Sequence, residues 1–132
     1  MTIPQLDLAG EYQQLRAEID AAVQQVFLKG AFIHGAENAA LEHELAEYIG
    51  AAEVICVNSG TDALLLSLKA LGIGAGDDVI VPAFTFFATA EAVSLAGARP
   101  CFADCAPGQY NIDVHSVSEA LTPRTKAVFA VH

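Results

Sequence analysis

Four small or polar residues, Asn58-Ser59-Gly60-Thr61, stand between an apolar run at 54–57 and a leucine-rich segment. This pattern predicts a strand, a tight turn and a helix. The first amides of a helix have no partner inside the helix, and with the helix dipole they favour an anion. Gly60 has no Cβ, so an anion can approach its amide closely. The turn is therefore either an anion site or an ordinary cap made by Ser59 or Thr61, and spacing alone leaves both open.

Spacing argues against three more familiar motifs. The phosphate loop of nucleotide triphosphatases needs a Gly-Lys-Ser/Thr run, and no lysine follows Gly60. A dinucleotide fingerprint lies between a strand and a helix, whereas the glycine-rich run at 72–76 follows a predicted helix. A hydrolase elbow around Ser59 would need glycines where Val57 and Thr61 stand. A simpler phosphate site, made of the amides of residues 60–62 and the Thr61 hydroxyl, remains.

Three aromatic residues, Phe84, Phe86 and Phe87, follow the predicted strand at 78–81 and Pro82. At helical spacing, one or two of them are expected in the core. All three cannot share one helix face, so at least one is expected to project toward the cleft at the strand ends. A flat aromatic ring beside a phosphate site favours a planar, phosphorylated ligand.

The rest of the chain contains elements that could position these residues. Strand-like runs alternate with helical segments, which is typical of βαβ units and a mainly parallel sheet covered by helices. In such sheets ligands bind at the carboxyl ends of the strands, where Thr85, Asp104 and His132 also stand. The predicted strands are 54–57, 78–81, 99–103 and 126–131, and the predicted helices are 11–28, 38–49, 61–71, 84–96 and 114–121.

Composition excludes several function classes. The 132 residues are 54% hydrophobic and carry a formal charge of −10, so neither a nucleic-acid surface nor a basic membrane patch is expected. No apolar run is long enough to span a membrane, and no signal-peptide pattern is present. Three cysteines, Cys56, Cys101 and Cys105, fit a reducing compartment and match no zinc pattern. We therefore predict a cytoplasmic location and no metal site.

The segment VNSGTDALLLSLKALGIGAGDDVIVPAFTFFATAEAV resembles the DegT-type nucleotide-sugar aminotransferases, which are pyridoxal 5′-phosphate enzymes of the aspartate-aminotransferase fold. IPQLDLAGEY, GAFIHGAENAALEHELAEYIGA and YNIDVHSVSEALTPRTKAVFAVH extend the resemblance over nearly the whole chain. It implies a three-layer α/β/α fold with a mainly parallel sheet, here the incomplete N-terminal portion of the large domain. Residues 1–52 would form N-terminal helices and, at 30–35, a loop by the active site and dimer interface. Residues 53–132 would form the first half of the cofactor-binding domain.

The resemblance also implies roles for particular residues. Gly60 and Thr61 would bind the cofactor phosphate, and Phe86 would stack on the pyridine ring, where members often carry Tyr or Trp. The reaction implied is transfer of an amino group, usually from glutamate, to a nucleotide-linked keto sugar, in a homodimer with shared active sites. None of Lys29, Lys69 and Lys126 matches the lysine that forms the Schiff base. The chain is therefore expected to contain no catalytic residue, to be inactive alone, and to be part of a longer enzyme.

Two alternative functions remain open on the sequence. One is a non-catalytic regulatory module that keeps the phosphate site without the lysine. The other is a related cofactor-dependent sugar dehydratase, in which histidine replaces that lysine. The residues encoded after His132 would distinguish them, since the deciding lysine or histidine lies outside the sequence.

Overall fold

The computed structural model describes residues 5–132, and these form two compact units that meet in sequence between Cys56 and Val57. The predicted N-terminal region begins at residues 1–4, which lie outside the described part of the chain. The domain division at 52/53 stays a prediction. Within residues 5–132, every helix is too short or too polar to cross a membrane.

The first unit contains the two helices that the apolar periodicity predicts. Helix α1 (Leu8–Lys29) begins where the Asp7 carboxylate accepts the Gly10 amide at 3.0 Å. It ends at Gly30, whose left-handed backbone (φ 66°) lets the chain turn away. Helix α2 (Ala36–Ile49) ends in the same way at Gly50, with φ 70°. Both predicted helices are confirmed.

The apolar stripes of these helices are not covered within the described chain. Neither α1 nor α2 contains a buried residue. The 30–35 connector between them presents Phe32 and Ile33 to solvent, and the Phe32 ring meets that of Phe27 edge to face at 5.6 Å.

The predicted strand at 54–57 is wrong. This segment has no regular secondary structure and pairs with no strand among the described residues. The Cys56 amide instead donates to the Glu42 carboxylate at 2.7 Å, and Ile55 is 77% exposed. Since a strand is stabilised by a neighbouring strand, an apolar run alone does not make one. The turn and helix that follow it do form.

The second unit is a small parallel sheet with helices. Its strands are β1 (Asp78–Pro82), β2 (Arg99–Ala103) and β3 (Thr125–Val128), and its helices are α3 (Gly60–Ala70), α4 (Ala88–Leu95) and α5 (Val114–Ala120). The strand order is β2-β1-β3, all parallel, which confirms the α/β class and the parallel sheet. The connections from β1 to β2 and from β2 to β3 run in opposite directions across the sheet. Because crossovers between parallel strands are right-handed in nearly all proteins, α4 and α5 are expected on opposite faces of the sheet.

The core forms around the central strand. Every residue of β1 is buried, and Val79 and Val81 pack with Leu68 of α3 and Val93 of α4. Ile80, also fully buried, points to the other face because side chains alternate along a strand. This packing fixes where β1 ends and α3 and α4 begin, and so positions the site described below.

A buried carboxylate joins the three strands at their amino ends. The two Asp78 oxygens accept Nε and Nη2 of Arg99, both at 2.8 Å, and Oδ2 also accepts the Thr122 hydroxyl at 2.7 Å. The Arg124 guanidinium lies 3.5 Å from the same oxygen. The Arg99 hydrogen bonds, then that of Thr122, hold the pKa of Asp78 well below its usual range. Asp78 therefore remains a carboxylate and links β1, β2 and the start of β3.

Candidate functional site

A cavity of about 520 Å³ lies at the carboxyl ends of β1 and β3. Its wall includes the first residues of α3, the connection after β1, and residues 129–131 after β3. Its volume falls in the range of small-molecule sites. The lining residues that matter below are Gly60, Thr61, Thr85, Phe86 and Thr89.

The first turn of α3 both caps the helix and leaves amides for a ligand. Ser59 Oγ accepts the Asp62 amide at 3.1 Å and donates to the Asp62 carboxylate at 3.0 Å. The Gly60 and Thr61 amides have no acceptor among residues 5–132. The prediction that the Asp62 amide helps to bind the anion is therefore wrong, because this amide already donates to Ser59 Oγ. The two interpretations of the turn coexist: Ser59 caps the helix, and the next two amides stay free.

Gly60 is not required by the packing of the chain itself. A Cβ built at this position would meet nothing within 4 Å, and the Gly60 φ lies outside the left-handed region that favours glycine. The space that a Cβ at position 60 would occupy is therefore open. A ligand at the helix N-terminus can use that space, which a side chain would fill.

Phe86 presents its ring at the same cavity. Phe86 is 80% exposed, and its ring belongs to neither aromatic pair of the described chain. Such a ring has a free face for a planar ligand. The structure therefore brings Gly60, Thr61 and Phe86 to one cavity.

The expectation that one or two of the three phenylalanines lie in the core is wrong. Phe84, Phe86 and Phe87 are all exposed, because α4 begins at Ala88 rather than at 84. Smaller residues of α4, among them Val93, fill the core instead. Phe84 packs on Tyr110 with the ring centroids 5.3 Å apart.

The other strand-end candidates lie outside this cavity. The Asp104 carboxylate accepts the Cys105 amide at 2.7 Å, so it is engaged within its own segment of the chain. His132 lines a neighbouring cavity of about 440 Å³ with Phe84 and Tyr110. Among the described residues there is no group of three or more His, Cys, Asp or Glu that could hold a metal.

Sequence reasoning missed Thr89 and residues 129–131 as part of the cavity. Thr89 lies four residues after Thr85, the spacing of one helical turn, and this spacing was a usable signal. Residues 129–131 were expected to continue the last strand, whereas β3 ends at Val128 and leaves them at the cavity wall.

The residues that the described chain contributes to the cavity can bind and orient a ligand. None of the residues that line the cavity is Asp, Glu, His, Lys, Arg, Cys or Tyr. Two free amides, the Thr61 hydroxyl and the Phe86 ring fit a ligand with a phosphate at one end and a flat ring at the other. In a chain of net charge −10, local backbone dipoles would hold such an anion.

The model of the DegT/DnrJ/EryC1/StrS aminotransferase family matches residues 13–132. The UDP-2-acetamido-2-deoxy-3-oxo-D-glucuronate aminotransferase of Pseudomonas aeruginosa is 44% identical over 126 residues, which cover 96% of this chain and 35% of that protein. The chain thus spans about a third of the length of the relatives it matches.

Solved structures give the same family resemblance. The structure of S. venezuelae DesV in complex with a ketimine intermediate superposes with a TM-score of 0.94 at 44% identity, over 98% of this chain and 35% of that one. NtdA from Bacillus subtilis with bound cofactor PMP superposes with a TM-score of 0.85 at 37% identity, over 90% of this chain and 27% of that one.

Proposed function

The chain belongs to the DegT/DnrJ/EryC1/StrS aminotransferase family, and on that premise we propose that its cavity holds the pyridoxal 5′-phosphate of a sugar aminotransferase. The observation that carries the proposal is the meeting of two free helix amides and an exposed aromatic ring at one cavity. Free amides occur at every helix start, so the feature that an ordinary helix cap does not explain is their meeting with the exposed Phe86 ring at one cavity.

The phosphate is assigned to the start of α3. The amides of Gly60 and Thr61 and the Thr61 hydroxyl are the donors, and the open space above Gly60 admits the anion. The helix dipole adds roughly 0.3–1 kcal/mol at such a position. The proposed role of these residues is to fix one end of the cofactor.

The pyridine ring is assigned to the face of Phe86. Stacking of this kind contributes roughly 0.5–1.5 kcal/mol beyond burial. When bound, pyridoxal phosphate supplies the electron sink for amino transfer. The residues of this chain bind it, orient its ring and exclude water from one of its faces.

The proposed sugar substrate is supported by the name of one relative. The Pseudomonas relative is named for an oxo-glucuronate attached to UDP, which supports a nucleotide-linked keto sugar as the amino acceptor. We propose glutamate as the amino donor. Lys29, Lys69 and Lys126 do not line the cavity, so we propose that a lysine beyond these 132 residues moves the proton and that the chain alone is inactive.

A homodimer with shared active sites is proposed for the assembly. It is supported by the apolar stripe of α1, where Leu15, Ile19 and Val23 are exposed in the described chain. A cytoplasmic location is proposed because Cys56, Cys101 and Cys105 are all free thiols.

Replacing Phe86 by alanine tests the cofactor assignment. We expect the affinity of the 132-residue chain for pyridoxamine 5′-phosphate to fall about tenfold, because the stacking face is lost. Equilibrium dialysis measures this, and the pyridoxamine form avoids side reactions because its amine cannot condense with surface lysines.

Phe87→Ala is the matched control, since Phe87 is adjacent, similarly exposed and absent from the cavity wall. It should bind as the unaltered chain does. Equal losses in both variants, or no binding by the unaltered chain, would contradict the proposed function.

A further inference from the structure

Two threonine hydroxyls meet next to the Phe86 segment. Thr85 Oγ1 and Thr89 Oγ1 are 3.0 Å apart, and either can be the donor. Thr89 is only 5% exposed, whereas Thr85 is half-buried. Within the described chain every buried side-chain oxygen or nitrogen has a hydrogen-bond partner, and Thr85 is the partner of Thr89. Breaking this bond would remove the one side-chain hydrogen bond that Thr89 makes within the described chain.

Thr89 also holds the backbone of Phe86. Its amide donates to the Phe86 carbonyl at 3.1 Å. Helix α4 has no side-chain cap at its start, since the capping position is Phe87. Two hydrogen bonds therefore hold the 85–89 segment around Phe86. The side-chain bond joins Thr85 to Thr89, and the backbone bond joins the Thr89 amide to the Phe86 carbonyl.

The Phe86 ring itself has little to hold it. Phe86 is 80% exposed, and its ring packs in neither of the two aromatic pairs of the described chain. The direction of the Phe86 ring is therefore set by the backbone of Phe86, which determines the allowed side-chain rotamers. We propose that Thr89 is a positioning residue: through Thr85 and the Phe86 carbonyl it fixes the angle at which Phe86 meets a planar ring. This inference rests on the proposed function.

A double-mutant cycle tests whether Thr89 acts through Phe86. Affinity for pyridoxamine 5′-phosphate is measured for the 132-residue chain and for Thr89→Val, Phe86→Ala and the double variant. We expect Thr89→Val alone to weaken binding about threefold, the size typical of one hydrogen bond. In the Phe86→Ala background it should weaken binding no further, because the residue that it positions is absent.

Two further readouts separate positioning from a general structural effect. The circular dichroism that the protein induces in the bound, achiral ligand should fall in Thr89→Val, because it reports the angle between ligand and ring. Thr89→Ser retains the hydroxyl and should restore both affinity and signal. If Thr89→Val does not fold, Thr85→Val replaces it in the cycle. This second variant breaks the same hydrogen bond at Thr85, which is only half-buried.

Equal losses in the two backgrounds, or unchanged affinity and dichroism in Thr89→Val, would overturn the positioning role while leaving the cofactor assignment intact. Failure of the unaltered chain to bind pyridoxamine 5′-phosphate would overturn both.

Discussion

Asp78→Ala should lower the melting temperature of the chain by on the order of 10 °C. The substitution removes the buried carboxylate that accepts Arg99 and Thr122, and with it the link among β1, β2 and the start of β3. Thermal unfolding followed by circular dichroism at pH 7 measures the change. Asp77→Ala is the matched control: its carboxylate accepts only the Gly74 amide in the described chain, so its loss should be much smaller. Similar losses in both variants would contradict the role of Asp78.

The lowered pKa of Asp78 predicts how the stability of the chain depends on pH. The folded chain holds the pKa of Asp78 well below that of an unfolded aspartate, which is about 3.9. The stability from Asp78 is therefore fully present above the unfolded pKa and is lost as pH falls toward the folded pKa. The difference in melting temperature between the unaltered chain and Asp78→Ala should be constant above about pH 5 and shrink below about pH 4. A difference in melting temperature that grows as pH falls would contradict the lowered pKa of Asp78.

Gly60→Asp should abolish binding of pyridoxamine 5′-phosphate, with a loss of at least about 100-fold, while leaving the chain folded. An aspartate here fills the open space above the amide and places a negative charge beside the phosphate. The same charge is favourable to the helix, since an acidic residue in the first turn suits the helix dipole. Loss of affinity with retained stability is the expected combination, read by equilibrium dialysis and thermal unfolding.

Ser67→Asp is the control for Gly60→Asp. It adds the same charge to an exposed position of α3, away from the cavity, and should leave affinity nearly unchanged. If Gly60→Asp binds as the unaltered chain does, the phosphate is not at the start of α3. If Gly60→Asp unfolds the chain, the absence of any packing requirement for Gly60 is contradicted.

Local signals in the sequence predict the helices and the parallel strands well. Apolar periodicity gives α1 and α2 to within a few residues, and the run at 78–81 gives the buried central strand. These features are local, so a single sequence contains them. The run at 54–57 shows the limit: it has strand composition, yet only a neighbouring strand could make it one, and the described chain provides none.

The candidate site, too, is predicted only in part by local sequence signals. The turn at 58–61 predicts a helix start with free amides, because four donors are always left over there. Which amides stay free depends on the Ser59 hydroxyl, which takes that of Asp62. The exposure of all three phenylalanines depends on α4 beginning at Ala88, and the spacing of aromatics does not reveal that boundary. The role of Thr89 depends on a side-chain bond across one helical turn.

The most direct test of the phosphate assignment is an amide chemical-shift titration of the 132-residue chain with pyridoxamine 5′-phosphate, with pyridoxamine as the control. A phosphate bound by free amides must perturb those amides first. We expect the largest amide chemical-shift changes at Gly60 and Thr61. These changes should saturate with pyridoxamine 5′-phosphate, and pyridoxamine should not produce them. Saturating shifts that leave Gly60 and Thr61 unmoved, or equal shifts with pyridoxamine, would contradict the phosphate assignment.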